Sequence, residues 1–158
     1  MSTAPVGAPA VGQVAPDFTL PSTAGSEFTL STLRERSNVL VAFFPAAFTR
    51  VCTAEMCSFT EEFSQFDRAN AVVVGISVDQ IPSLKEFRAK HGITIDLLSD
   101  ARRDVSQRYG VLDEAKFTAR RSYFIVDRSG VLRWAFVEEH NGQRRDNREL
   151  LAELAKLR

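Results

Sequence analysis

The sequence predicts an α/β fold, a mixed central sheet flanked by helices on both faces. Two observations carry this. Two mainly apolar runs, residues 39–44 (VLVAFF) and 71–78 (AVVVGISV), bracket a segment of helical periodicity. Two further apolar runs, 123–126 and 131–137, flank the turn Asp127-Arg128-Ser129-Gly130 and precede an amphipathic C-terminal segment. The chain has 158 residues, enough for one domain with a sizeable core, expected over residues 14–158. Residues 1–13 are small and Pro/Gly-rich, with no basic start and no continuous apolar stretch. They read as a flexible tail rather than a signal peptide.

In chain order, residues 18–20 and 28–30 are short extended candidates around Ser22-Thr23-Ala24-Gly25. The run 39–44 is a strand buried on both faces, stopped by Pro45. A helix follows with Thr49 as its N-cap, and Met56, Phe59, Phe63 and Phe66 share one face at offsets 0, 3, 7 and 10. With the strand at 71–78 this makes a βαβ unit, right-handed by the usual rule. Residues 83–91 form a helix ended by Gly92, and 93–98 a short strand. The hairpin adds antiparallel strands. Asp146-x-x-Glu149 resembles a capping box, with Leu150, Leu151, Leu154 and Leu157 on the apolar face of the last helix. A thioredoxin-like α/β sandwich fits this order.

Composition excludes several function classes. Twenty basic residues balance twenty acidic ones, which argues against a general nucleic-acid binder. No apolar run approaches the roughly 20 residues needed to cross a bilayer. The cysteines, Cys52 and Cys57, are too few and too close for a secreted disulfide scaffold. A cytoplasmic protein with reduced thiols is expected, in which a close cysteine pair is catalytic or metal-binding rather than structural. The two histidines, His91 and His140, are remote from the cysteines and read as helix-terminal and loop residues, so neither a metal site nor a cofactor is expected.

The chemistry concentrates in residues 43–57. With Thr49 as cap, Cys52 lies in the first helical turn, where free N–H groups and the helix dipole favour a thiolate, the nucleophilic form. Cys52 continues the apolar stripe, four residues before Met56, so it belongs in a pocket. Taken singly, each residue has a plainer reading: Cys52 a small hydrophobe, Thr49 a cap, Pro45 a strand stop, Glu55 an acid complementing the dipole. Their joint occurrence at one strand-to-helix junction is harder to dismiss.

Pro45-x-x-x-Thr49-x-x-Cys52-x-x-Glu55 resembles the active-site signature of peroxiredoxins, P-x-x-x-T-x-x-C with the acid that often follows. Ala15-Pro16-Asp17-Phe18 resembles the family's A-P-D-F opening. Arg121-Ser122-Tyr123-Phe124-Ile125-Val126-Asp127 resembles the strand that starts with the family's active-site arginine. The resemblance implies thiol-dependent reduction of hydroperoxides. Cys52 would be the nucleophile that becomes a sulfenic acid, and Thr49 would hydrogen-bond the peroxide and the thiolate. Arg121 would hold the thiolate and the leaving oxygen, Pro45 would shape and shield the loop, and Glu55 would partner an arginine. Arg120 faces the opposite side of the strand and is expected in solvent. Arg144, Arg145 and Arg148 read as a solvated helix entrance.

Cys57, five residues after Cys52, resembles the resolving cysteine of the PrxQ, or bacterioferritin-comigratory, branch. The loop 43–49 and Arg145-Asp146-Asn147-Arg148 look closer to the alkyl hydroperoxide reductase E type, often a one-cysteine enzyme. Resolution through a Cys52–Cys57 disulfide requires the helix start to unwind. Five residues on an ideal helix separate the Cα atoms by roughly 8–9 Å, beyond the ~7 Å limit for a disulfide. Expected partners are a hydroperoxide and thioredoxin or another thiol reductant, with the protein a monomer or weak homodimer. The competing readings are a one-cysteine enzyme using an external thiol, a thiol–disulfide oxidoreductase, which lacks C-x-x-C, a cysteine hydrolase, which lacks a placed histidine base, and a redox sensor without sustained turnover.

Overall fold

The computed structural model describes residues 8–157. Residues 1–7 of the expected tail lie outside the described residues. The end of that stretch is tied down: Gly12 N donates to Leu132 O, Gln13 O accepts from Leu132 N, and Val14 bridges Val131.

The chain begins with a small antiparallel ribbon, β1 (Thr19–Pro21) and β2 (Glu27–Thr29), and a 3₁₀ turn at Leu30–Leu33. Then come β3 (Asn38–Phe43), α1 (Arg50–Glu61), α2 (Phe63–Arg68), β4 (Ala71–Ser77), α3 (Ile81–His91), β5 (Asp96–Ser99) and the short α4 (Asp104–Arg108). A two-residue ribbon, β6 (Leu112–Asp113) and β7 (Thr118–Ala119), leads to the hairpin β8 (Ser122–Val126) and β9 (Leu132–Val137), and α5 (Asn147–Ala155) closes the chain. The main sheet has the order β5-β4-β3-β8-β9. β3, β4 and β5 are parallel, while β8 and β9 are antiparallel to their neighbours. This is the mixed sheet of the expected fold.

β3 is buried along its whole length, as its unbroken apolar run requires. The strand period of two splits the core. Leu40, Ala42 and Phe44 face a layer built from Met56, Phe59, Phe66, Leu84, Phe87, Leu150 and Leu154 of α1, α2, α3 and α5. Val39, Val41 and Phe43 face the other layer, with Phe18, Leu30, Val105 and Tyr109. Helices thus cover both faces, but the second is covered mainly by the N-terminal ribbon, α4 and the small hairpin.

Two glycines have local reasons. Gly92 ends α3 at φ 62, the left-handed position a Cβ disfavours. Gly75 lies in the sheet between Ala42 and Leu97, directly beneath α1. A Cβ there would stand 3.0 Å from Met56 Sδ and 2.9 Å from Leu97 Cδ2, so the glycine lets α1 lie close against the sheet.

The helical stripe is not continuous. α1 stops at Glu62 (φ −105, ψ 19) and α2 starts anew, rotating Phe63 out of register. Phe63 is 49% exposed, while Met56, Phe59 and Phe66 are buried. The last helix also starts differently: Asp146 accepts from Arg148 N, and Glu149 turns outward to pair with Arg145. Phe59→Ala should therefore destabilise the protein by about 3–5 kcal/mol, through lost transfer energy and a cavity. Phe63→Ala should stay within about 0.5 kcal/mol of wild type in urea denaturation, as for a surface position.

Candidate active site

The site lies where β3 hands over to α1. Pro45 is half-buried and Phe48 takes φ 67 as the chain turns, with Thr49 as the extended residue before the helix. Asp79, just past β4, accepts the Ala47 amide at 2.8 Å from across the parallel pair. Thr49 is the cap residue by backbone geometry, yet its side chain makes no capping bond. Its hydroxyl donates to Ala46 O at 2.8 Å, so in this geometry its proton is not available to the thiolate.

Cys52 is the third residue of α1 and is 1% exposed. Arg121, immediately before β8, reaches it from the neighbouring strand. Its Nη2 donates to Cys52 Sγ at 3.0 Å and its Nη1 to Glu55 Oε1 at 2.7 Å, while its Nε donates to Asn141 O at 3.1 Å. The structure thus brings Cys52, Glu55 and Arg121 into one buried cluster, from positions 66 and 69 residues apart in the chain. Burial works against the Arg121 cation, but the Glu55 and Cys52 charges hold it above its ordinary value. Burial pushes the Glu55 carboxyl up, against the opposing pull of Arg121, and its Oε2 has no hydrogen-bond partner. Arg120 points to solvent, as alternation along a strand requires.

Cys57 lies in the same helix, half-buried, and both cysteines are free thiols. Burial and the neighbouring Glu61 carboxylate push the Cys57 thiol up. The next residue is clamped from the start of α5 and the loop before it: Ser58 Oγ accepts from Arg144 Nη1 at 2.8 Å, and Ser58 O accepts from Asn147 Nδ2. Arg144 and Arg145 are accordingly not a solvated entrance. Arg145 donates to buried Glu138 at 2.9 Å, and its guanidinium lies 4.4 Å from the centre of the Phe136 ring. Tyr123 OH joins this second cluster, donating to Glu138 and accepting from Arg145 N.

Asp79, Asn141, Tyr123 and Glu138 were not expected near the site. A signal existed for Glu138: it continues the alternating face of Trp134 and Phe136, and an acid at the end of an apolar face needs a buried partner. Asn141 accepts from Arg121 through its carbonyl and its side-chain oxygen from a loop, and Asp79 acts on a loop folded onto it, so neither has a local signature.

The AhpC/TSA family matches residues 11–135. Alkyl hydroperoxide reductase E of Mycobacterium tuberculosis is 39% identical over 140 residues, 87% of this chain and 91% of its own length. A Coxiella burnetii protein named for peroxiredoxin bcp is 37% identical over 128 residues, 77% of this chain and 84% of its own. Among solved structures, peroxidoxin BcpB from Mycobacterium tuberculosis superposes with a TM-score of 0.84 at 29% identity, covering 95% of this chain and 99% of that one.

The buried Glu55 carries a pH signature. Its carboxyl is raised from the ordinary value of 4.5, so the folded state holds its proton more tightly than the unfolded chain. Its contribution to stability is therefore greatest at low pH and declines as pH rises from about the unfolded value through the folded one. Glu55→Gln lacks this titration. The unfolding free energy of wild type minus that of Glu55→Gln should fall as pH is raised from about 4.5 toward neutrality, in denaturant titrations at each pH. A difference that rises with pH would mean that Arg121 dominates.

Proposed function

The chain belongs to the AhpC/TSA family and is a peroxiredoxin, a thiol-dependent peroxidase, and on that premise we propose that Cys52 is the residue that attacks the peroxide. The observation carrying this assignment is the hydrogen bond from Arg121 to the buried Cys52 Sγ at a helix start. The guanidinium meets the sulfur in the first turn of α1, where backbone N–H groups lack intrahelical partners.

The Cys52 thiolate attacks the distal oxygen of a hydroperoxide. An S–O bond forms as the O–O bond breaks, and sulfur is oxidised to sulfenic acid. The leaving oxygen takes up the proton equivalent to the one released by the thiol and departs as alcohol or water. Arg121 offers donors to the charge growing on that oxygen. Thr49, its own proton given to Ala46 O, has oxygen lone pairs to accept from the hydroperoxide O–H. Glu55 holds Arg121 in place, and Pro45 shapes the loop. Cys52→Ser should abolish peroxide turnover with the fold intact. Arg121→Ala should lower kcat/KM on the order of 10²-fold, the loss typical of one oxyanion donor, and Arg120→Ala should leave it unchanged. A steady-state assay with thioredoxin and its reductase reads all three, and residual Cys52→Ser turnover would overturn the assignment.

We further propose that Cys57 resolves the sulfenate. The Cys57 thiol attacks the Cys52 sulfenic sulfur, the S–S bond forms, and the hydroxyl leaves as water with the thiol proton. Both cysteines stand in one continuous helix, so the first turn must unwind, at a point where few intrahelical bonds are lost. The clamp on Ser58 holds the Cys57 half while the Cys52 half moves. Thioredoxin or a similar thiol then reduces the exposed disulfide. Two free, closely spaced cysteines support a cytoplasmic setting, and we read the protein as a monomer or weak homodimer. After one equivalent of peroxide, mass spectrometry should find the loss of two hydrogens and a Cys52–Cys57 linked peptide. Persistent sulfenic acid with Cys57 still alkylatable would instead make this a one-cysteine enzyme served by an external thiol.

A further inference from the structure

The loop that carries Pro45 and Thr49 is tied across the sheet to one side chain outside the signature. Asp79 Oδ2 accepts two hydrogen bonds, from Ala47 N at 2.8 Å and from Ser77 Oγ at 2.8 Å. Asp79 is itself held on two further sides. Its amide donates to Ser77 Oγ at 3.2 Å, and its carbonyl accepts from Ser99 Oγ at 2.6 Å. Ser77 and Ser99 are buried at the ends of the parallel strands β4 and β5, so the carboxylate is aimed by rigid elements. Ala47 lies 32 residues away in sequence and two residues before Thr49. A charge-assisted bond to a backbone amide is among the stronger ties available to a loop.

We propose that Asp79 is a positioning residue that latches the 45–49 loop, setting the balance between the closed arrangement, in which Cys52 meets peroxide, and the opened one, in which Cys52 can reach Cys57. Asp79 is not a catalytic residue, since its contacts are to Ala47, Ser77 and Ser99. The second half of the proposal rests on resolution by Cys57; the first half does not. The latch makes opposing demands visible. Loosening it withdraws Thr49 and the helix start from the peroxide pocket, which slows sulfenate formation. The same loosening eases unwinding, so each sulfenate formed goes to disulfide sooner and has less time to meet a second peroxide and become sulfinic acid.

Because both donors converge on one oxygen, an amide oxygen can replace it. Asp79→Ala removes the acceptor, and Asp79→Asn removes the charge while keeping an acceptor. Three readouts follow. In Asp79→Ala, hydrogen exchange of the segment 44–56 in the reduced protein should rise roughly tenfold, the equivalent of one such bond. The second-order rate of sulfenate formation should fall by a similar factor. The ratio of disulfide to sulfinic acid after excess peroxide should rise. Asp79→Asn, which keeps the acceptor without the charge, should bring all three part of the way back toward wild type. Unchanged exchange and sulfenate formation in Asp79→Ala would overturn the latch, as would an Asp79→Asn as impaired as Asp79→Ala. Should Asp79→Ala fail to fold, Ser77→Ala removes one of the two donors that aim the carboxylate. It should move the same readouts the same way by a smaller factor, and no movement would overturn the proposal. If wild type forms no Cys52–Cys57 disulfide, the resolving role of Cys57 fails, while exchange and sulfenate formation still decide the latch.

Discussion

The buried guanidinium of Arg121 is the constraint on which the site depends. It is among the largest of the fully buried side chains and cannot lose its charge. A buried cation must find partners for its donors, or the folded state bears a desolvation cost of several kcal/mol. Glu55, Cys52 and the Asn141 carbonyl supply them, so α1, the start of β8 and the turn after β9 are fixed to one another through a single planar group. The backbone agrees: Arg121 O accepts from Glu138 N, and Arg121 N donates to the Asn141 side chain. A sulfur atom in this set is the weakest acceptor of the three when it is a thiol and a strong one when it is a thiolate. Arg121 is the donor that meets that sulfur directly.

Arg145 and Glu138 form a second pair closed by Tyr123, whose hydroxyl is pushed up by burial and the nearby Glu55. That pair is satisfied within itself. The first cluster differs: one cation faces two groups able to carry negative charge. A carboxylate that shares its counterion and is desolvated on its other side competes poorly for Arg121.

How much of this was legible follows from the range of each signal. The two apolar runs, the terminator Gly92, the hairpin turn and the cluster around Cys52 are local patterns, and the sheet, the βαβ unit and the first turn of α1 stand as those patterns require. Strand alternation leaves only one of Arg120 and Arg121 inside, and the family's spacing before Phe124 picks out Arg121. Phe63 was misread because spacing alone cannot reveal a break at Glu62, where Phe66 gains burial through a restarted helix. Arg144 and Arg145 were misread because basic residues at a helix entrance are ordinarily solvated. Their partners, Ser58 and Glu138, are 86 and 7 residues away and are brought in by packing of α5. The Thr49 hydroxyl was assigned to the thiolate, while the local turn offered it the Ala46 carbonyl first.

The burial pattern of α1 explains how one helix can serve both halves of the proposed cycle. In the segment that must unwind, from Arg50 to Glu55, Cys52 and Glu55 are buried and the rest are half-buried or exposed. The apolar anchors, Met56 and Phe59, begin after it. Opening the first turn therefore costs little hydrophobic burial, and what holds it closed is polar: the bonds to Arg121 and the loop tie to Asp79. Polar ties respond to chemistry, whereas apolar contacts do not. In the proposed cycle, oxidation of Cys52 to a neutral sulfenic acid would change the sulfur that Arg121 contacts, so the tie would weaken once the peroxide has reacted. Beyond Met56 the helix keeps its packing and its clamp at Ser58, which leaves Cys57 as a fixed target. A helix whose first turn is held by charge and whose remainder is held by packing can open in response to oxidation without losing the fold.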